Sequence, residues 1–314
     1  LPPAEAAAAG LIRLTAPVAP EGLIARLRWS YGIRIEVASA IDGSVATLFA
    51  GVRPIWQDWF QPPADGVNLT YRFSVEGRKL PPPEWGAALN ACRAALLPFG
   101  LVDDPSAYVM EFVVSLAGDN ACLYLRPTFE ADNRFAYRLS DVGASMNPVV
   151  AAALANLIAS PLGGTALDPT CGSGTLLVER ARIDNHAALA GIDASPTAVK
   201  AAKTNLKAAG LMELATIRQG DAMDPASWVP CKVVLVNLPF GLRTAREGVK
   251  PEILYAAICG NIANFMEPGG RALLATTQLK ALDAALRKTP RLSILARCKV
   301  QTGGLWLHIV VLGN

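Results

Sequence analysis

Asn237-Leu238-Pro239-Phe240 sets a carboxamide, a proline and an aromatic ring side by side. An exocyclic amine on a nucleobase is a poor nucleophile, because its lone pair is delocalised into the ring. Two acceptors can turn that pair outward: the side-chain oxygen of Asn237 and the carbonyl of Leu238. Pro239 fixes the loop, and Phe240 offers a face on which a base stacks. The chemistry that fits is attack of the amine on a methyl sulfonium. It runs on orientation and needs neither a catalytic thiol nor a metal. A plain strand-to-loop turn is the alternative, and it leaves the coincidence of amide, proline and ring unexplained.

A second candidate lies upstream. Residues 165–179, Thr-Ala-Leu-Asp-Pro-Thr-Cys-Gly-Ser-Gly-Thr-Leu-Leu-Val-Glu, read as a short buried strand, a tight glycine turn and a helix opening at Thr175. Gly172 and Gly174 lack a Cβ, so the backbone can bend sharply and approach a ligand. The helix start offers unpaired N–H groups and a positive dipole end. Three nucleotide-site readings compete here with an ordinary strand-to-helix turn. A phosphate-binding loop needs Gly-Lys-Ser/Thr, and no lysine lies between Asp141 and Val199. A dinucleotide fingerprint lacks its third glycine, because Leu177 stands there. An S-adenosylmethionine (SAM) turn needs only a close backbone approach to a ligand without phosphate. The turn alone leaves these readings balanced.

A sheet must position both groups. Asn147 and Pro148 suit the cap and first position of a helix over 148–160. Strands are then expected at 166–168, 189–193, 215–219, 232–236 and 271–276. Between them the pattern predicts helices at 175–182, 196–209, 251–266 and 279–287. An antiparallel pair, 292–300 and 305–312, closes the chain. This alternation argues an α/β fold, a parallel sheet with helices on both faces. Asp168 ends the first strand, Asp193 the second (with Ala194 after it), Asp221-Ala222 follow the third, and Asn237 ends the fourth. In a doubly wound sheet these ends meet in one crevice. Asp193 lies 21 residues past Gly172, the spacing at which a carboxylate accepts from ribose hydroxyls. Asp221 is placed to accept from an adenine amino group, with the Ala222 N–H on a ring nitrogen. Taken singly, a helix cap at Asp193 and a turn at Asp221 are the better explanations. Four such residues in register favour a ligand.

The 314 residues are enough for a large core and two domains. An apolar run of 18 residues free of Gly, Pro and charge is absent, so no membrane span is expected. The alanine run at 6–9 has no basic segment before it, so no secretory signal is expected. The six cysteines form no Cys-x-x-Cys pair, and only His186 and His308 are present. That predicts no zinc site, no disulfide framework and a reducing cytoplasm. Cys171 sits in the glycine turn, either as a nucleophile or, more simply, as a small residue that fits. Residues 1–140 carry 12 Lys and Arg against 14 Asp and Glu, and residues 141–314 carry 17 against 12. A basic footprint therefore belongs to the second part.

Residues 1–140 read as an α+β module. Strands are expected at 23–29, 33–38 and 44–49, with a hairpin turn at Asp42-Gly43. Loops are expected at 61–66 and 80–83, and a helix over 85–97 ended by Pro98 and Gly100. A strand pair follows at 108–116 and 121–125. Trp29, Trp56, Trp59 and Trp85 either stack bases or, more commonly, pack a core. Arg134-Phe135-Ala136-Tyr137-Arg138 can touch RNA through its arginines and rings, or serve as a linker packed on the next domain.

Asp168 to Thr175, Gly191-Ile192-Asp193, Gly220-Asp221-Ala222 and Asn237 to Gly241 together resemble the SAM-dependent RNA guanine-N2 methyltransferases that carry a THUMP domain. The resemblance covers roughly 134–314. It implies a class I methyltransferase fold, a seven-stranded sheet whose last strand is antiparallel. It places Asp168, Thr170, Cys171, Gly172, Gly174 and Thr175 around the methionine part of SAM, Asp193 and Ala194 at its ribose, and Asp221 and Ala222 at its adenine. Asn237 to Phe240 then hold the target base. Asn147-Pro148 resembles a lead-in that lines the cofactor pocket, and Arg243 a basic position that meets a phosphate. Leu238 stands where proline is commoner, a form similar to the tRNA guanine-N2 branch rather than the adenine-N6 branch. Asn237 stands where that branch often has Asp; an amide offers the oxygen but takes up a proton less readily. Residues 1–140 are read as a reduced or diverged THUMP-like module.

The expectation is thus a cytoplasmic, SAM-dependent methyltransferase acting on a guanine amine in tRNA, or in rRNA. The rivals are adenine-N6 methylation, a non-catalytic SAM- or RNA-binding subunit, and a dinucleotide oxidoreductase.

Overall fold

Runs of apolar residues at 189–192, 233–236 and 272–275 need cover on both faces of a sheet, and the fold supplies it. The computed structural model describes residues 5–8, 11–13, 35–40, 45–50, 52, 69–117, 120–127, 133–143, 145–160, 163–184, 188–239, 249–302 and 305–314. The chain divides into two units, Leu1–Asn133 and Arg134–Asn314. The division falls before 134–140, which the sequence had grouped with the first module. The reason is visible in two bonds. The Tyr137 hydroxyl donates to buried Glu179 at 2.8 Å, and Asn205 Oδ1 accepts from the Ser140 N–H at 2.9 Å.

In the first unit β1 (Glu5–Ala8) and β2 (Leu11–Arg13) form an antiparallel pair. β3 (Ile35–Ala40), α1 (Val45–Ala50), β4 (Leu69–Gly77), α2 (Pro82–Leu96), β5 (Leu101–Asp103), β6 (Met110–Ala117) and β7 (Asn120–Pro127) follow. Their sheet runs in the order β3-β7-β6-β4-β5, with β6 parallel to β4 and antiparallel to β7. Leu48, Phe49, Tyr71, Phe73, Cys92, Leu96, Phe112 and Leu123 pack the core on one face. The strand expected at 44–49 is helix α1. Its buried Leu48 and Phe49 fall three and four residues after partly buried Val45, the helical spacing. The loop expected at 80–83 gives way to α2, because proline is tolerated in a first helical turn. Trp85 packs on Phe73, ring centroids 5.2 Å apart. The expectations at 23–29, Asp42-Gly43 and 61–66, and for Trp29, Trp56 and Trp59, lie outside the described residues.

The second unit comprises α3 (Pro148–Leu157), β8 (Thr165–Asp168), α4 (Thr175–Ala181), β9 (Ala188–Asp193), α5 (Pro196–Ala208), β10 (Ala215–Gln219) and β11 (Cys231–Asn237). α6 (Pro251–Phe265), β12 (Met266–Thr276), α7 (Leu279–Arg287), β13 (Ser293–Thr302) and β14 (Leu305–Gly313) complete it. The seven strands lie in the order β10-β9-β8-β11-β12-β14-β13. The sheet is mixed: β8 to β12 pair parallel, while β14 runs antiparallel to both its neighbours. One apolar layer joins α3, α4 and α5 to the sheet through Leu154, Leu177 and Leu206 against Val233, Leu235 and Ile309. The other joins α6 and α7 through Tyr255, Ile258 and Leu282 against Val234, Val236 and Leu274. Fully buried Arg180 closes the end of α3, donating to the Ile158 and Ala159 carbonyls at 2.8 and 3.1 Å. Strand order reverses between β8 and β11, so the crevice for a ligand opens at their carboxyl ends.

Candidate active site

After Asp168 the chain turns sharply into α4. Gly172 and Gly174 hold φ of 53° and 78°, the left-handed region that favours glycine. A Cβ on Gly174 would stand 3.3 Å from the Ala202 Cβ on α5, so this glycine serves the seating of the turn on that helix. Among the described residues a Cβ on Gly172 would meet only Val142 Cγ2, at 3.7 Å. The turn is hooked to β9. The Cys171 N–H donates to the Ile192 carbonyl and the Gly172 N–H to Asp193 Oδ2, both at 2.9 Å. Asp193 Oδ1 accepts from the Ser195 N–H at 2.9 Å, and Asp221 Oδ1 from the Met223 N–H at 2.9 Å. Asp221 therefore does the turn work that sequence offered as an alternative, whereas the helix cap offered for Asp193 falls to Ser195, whose hydroxyl accepts from the Ala198 N–H, and Asp193 ties the glycine turn to β9. A carboxylate has about four acceptor positions, so ligand duties remain open to each.

A cleft of about 930 Å³ runs along the carboxyl ends of β8 to β11. Asp168, Thr170, Cys171, Gly172 and Thr175 wall it from the turn, Asp193 and Ala194 from β9, and Asp221 and Ala222 from β10. Asn237, Leu238 and Pro239 wall it from β11. Asn147, Pro148 and Gly174 are not in the wall. Asn147 instead caps α3, its Oδ1 accepting from the Val149 N–H at 2.9 Å, and the lead-in contributes Met146. Phe240 and Arg243 lie outside the described residues. Arg134 sets its guanidinium 5.2 Å over the Phe135 ring, and Arg138 donates to the Asp141 carboxylate at 2.8 Å. Neither arginine walls the cleft.

Burial pushes the Asp168 carboxyl up to about 8; the Thr170 N–H works against this, and nearby Asp193 adds to it. Between the ordinary carboxylate range and pH 8 the folded chain holds a proton that the unfolded chain has released. Stability from this group is full at low pH and is lost as pH rises through that window. A cation placed beside Asp168 reverses the preference. Calorimetry of SAM binding at pH 6.5, in buffers of different ionisation enthalpy, should show release of about one proton, and Asp168→Asn should remove it. An identical proton count in the variant would contradict the placement. Burial first, and then Asp168 and Asp193, push the Cys171 thiol well up, which disfavours its thiolate.

The Asn237 loop is held from three sides. Its backbone carbonyl accepts from the Thr170 hydroxyl at 3.3 Å, which joins it to the glycine turn. The Leu238 N–H donates to the Ala275 carbonyl at 2.9 Å, and the Leu238 side chain is fully buried. The Pro239 carbonyl accepts from the buried Tyr255 hydroxyl at 2.9 Å. Tyr255 has one proton to give, so Thr276, 2.9 Å from it, donates in turn. Thr276 accepts from the Gln278 N–H at 2.9 Å. Tyr255→Phe should slow single-turnover methyl transfer about ten-fold, the size of one lost hydrogen bond, with SAM affinity unchanged in calorimetry. An unchanged rate would show that the loop needs no such anchor.

Sequence reasoning missed these anchors. It also missed Asn205, whose Nδ2 donates to the Ser140 and Ser173 carbonyls at 2.7 and 2.9 Å. Asn261 does the same for the turn after β10, donating to the Ala222 and Met223 carbonyls at 3.0 and 3.3 Å. Trp228 Nε1 donates to the same Ala222 carbonyl at 2.9 Å. An Asn on the buried face of a helix was the available signal, because a buried amide must find partners.

Residues 136–308 match the family described as RMKL-like, methyltransferase domain. The chain belongs to that family. SMU.472, a putative methyltransferase solved in complex with SAH, shares the fold with a TM-score of 0.68 at 18% identity over 94% of this chain and 88% of that one. Asp168, Asp193 and Asp221 line the described wall, and no Lys, Arg or His does. Three carboxylates in the wall suit a ligand that carries a positive charge. TrmN from Thermus thermophilus has the same fold, with a TM-score of 0.76 at 24% identity over 96% of this chain and 89% of that one. Together these make the second unit a class I methyltransferase fold. The Bos taurus U6 snRNA (guanine-N(2))-methyltransferase THUMPD2 is 28% identical over 181 residues, 56% of this chain and 35% of that protein. The tRNA (guanine(6)-N2)-methyltransferase of Thermus thermophilus is 27% identical over 216 residues, 68% and 63% respectively. The chain thus spans roughly a third to two thirds of these relatives.

Proposed function

We propose that this protein methylates the N2 amine of a guanosine in RNA, with tRNA as the preferred substrate and SAM as donor. The observation that carries the reading is the continuity of the cleft. Among the described residues its acidic wall holds no Lys, Arg or His and ends at Asn237-Leu238-Pro239, and the Thr170 bond ties the two parts together. The relatives named above act on guanine N2 in U6 snRNA and in tRNA.

SAM supplies an electrophilic methyl group when bound. Asp168 faces the cationic methionine end, Asp193 accepts from the ribose hydroxyls, and Asp221 accepts from the adenine amine. Asn237 Oδ1 and the Leu238 carbonyl accept the two N–H bonds of the guanine amine and turn its lone pair outward. Phe240 stacks on the base. A carboxamide is no base at neutral pH, so Asn237 orients the amine and the released proton passes to water.

The first unit, Leu1–Asn133, serves in this reading as a THUMP-like RNA-binding module, which its α+β sheet supports. Arg134, Arg138 and Arg243 are the candidate phosphate contacts. The six free cysteines suit a reducing cytoplasm. The test is labelling of total tRNA and rRNA with tritiated SAM, followed by nucleoside mass spectrometry. N2-methylguanosine is expected. N6-methyladenosine, or SAM binding without incorporation, would overturn the reading.

A further inference from the structure

Beyond the cleft, the last hairpin rises above the site. Thr276, the final residue of β12, pairs with His308 on β14, yet β14 begins three residues earlier at Leu305. The hairpin therefore overhangs the carboxyl edge of the sheet, the edge at which the cleft opens. Its level is fixed by register. Asn237 pairs with Ala275 and Ala275 with Ile309, so Trp306 stands three residues, about 10 Å, above Asn237. Two strand spacings, about 10 Å more, separate them sideways.

The residues on this overhang have a common character. Arg297 pairs with Val310, Lys299 with His308 and Gln301 with Trp306. Opposed and alternate residues share a face, so Lys299, Gln301, Trp306 and His308 form one patch. It continues from Thr276, the hydroxyl behind the Pro239 loop. Trp306 is 49% exposed, and Lys299 holds its Nζ 4.6 Å from the indole centroid. Arg297 is engaged with Asp283 at 2.8 Å. An exposed indole beside an ammonium and a carboxamide is the equipment for an unpaired nucleotide: a ring to stack on, a charge for phosphate and an amide for a base edge.

We propose that this hairpin face binds single-stranded RNA next to the target nucleotide. Trp306 stacks on an unpaired base, Lys299 meets the adjoining phosphate and Gln301 reads a base edge. A short stretch of single strand covers the span from the Asn237 loop to Trp306. The inference rests on the RNA reading above and adds a site to it. A protein partner fits less well, because lysine is depleted in the core of protein interfaces and in edge strands it discourages pairing.

The test uses the full chain and fluorescently labelled unfractionated tRNA, with affinity read by anisotropy over a salt series. Trp306→Ala should weaken binding about ten-fold, the scale of one lost base stack, and Trp306→Phe should restore most of it. Lys299→Ala should weaken binding and flatten the salt dependence by about one unit of slope. SAM affinity by calorimetry should be unchanged in all three. Wild-type binding that neither Trp306→Ala nor Lys299→Ala alters would overturn the hairpin site and leave the RNA reading standing. Failure of the wild-type chain to bind or methylate RNA would overturn both. A change of mass in light scattering without loss of tRNA affinity would assign the face to self-association instead.

Discussion

Asn237→Ala should reduce methyl transfer by a factor on the order of a hundred to a thousand while SAM still binds. The factor is that of removing one positioned polar group from a reacting centre. Without the carboxamide oxygen, one N–H of the amine loses its acceptor and the lone pair falls back into the ring. The variant keeps its backbone, and with it the Asn237 carbonyl that accepts from Thr170 and the Leu238 N–H on Ala275. Loss of rate is therefore expected without loss of the loop. Single-turnover labelling with tritiated SAM reads the rate, and calorimetry reads the donor. Full activity in the variant would remove Asn237 from the chemistry.

Asp193→Ala should weaken SAM binding about a hundred-fold, with the unit still folded. The carboxylate ends β9 in the cleft wall and takes the Gly172 N–H on one oxygen and the Ser195 N–H on the other. Removing it deletes the ribose acceptor and frees the glycine turn from β9 at the same moment. Hydrogen bonds to a charged group contribute about 1.5–3 kcal/mol each, so one lost ligand bond with some loosening reaches that factor. Asp193 is only half-buried, so a cooperative melting transition should persist. Equal SAM affinity in the variant and the wild-type chain would sink the ribose role.

The second unit was legible because its signals are local. Apolar runs, glycine stops and caps punctuate strands and helices in turn, and β10 (Ala215–Gln219) and α7 (Leu279–Arg287) have the expected bounds. That Asp168, Asp193 and Asp221 wall one cleft was legible for the same reason, since their strands end side by side. The anchors were not legible. Tyr255 meets Pro239 from 16 residues away, and Asn205 meets Ser140 from 65. Only the folded chain brings those distances to hydrogen-bond length. Asn147 and Pro148 were assigned to the pocket by resemblance, and local geometry makes them a helix cap. In the first unit α1 has six residues, too few for its period to show against β-branched Val45 and Thr47. β4 escaped notice although Tyr71, Phe73 and Val75 alternate along it.

The strap over 134–143 has a practical bearing on any dissection of the chain. A protease cut or truncation placed at 140 would strip Tyr137 from Glu179, which is 1% exposed, and would sever the Ser140 bonds that Asn205 makes together with its bond to the Ser173 carbonyl. A fragment starting there begins with a damaged glycine turn. One starting at Arg134 keeps every one of those bonds, so the fragment to look for in limited proteolysis is the longer of the two.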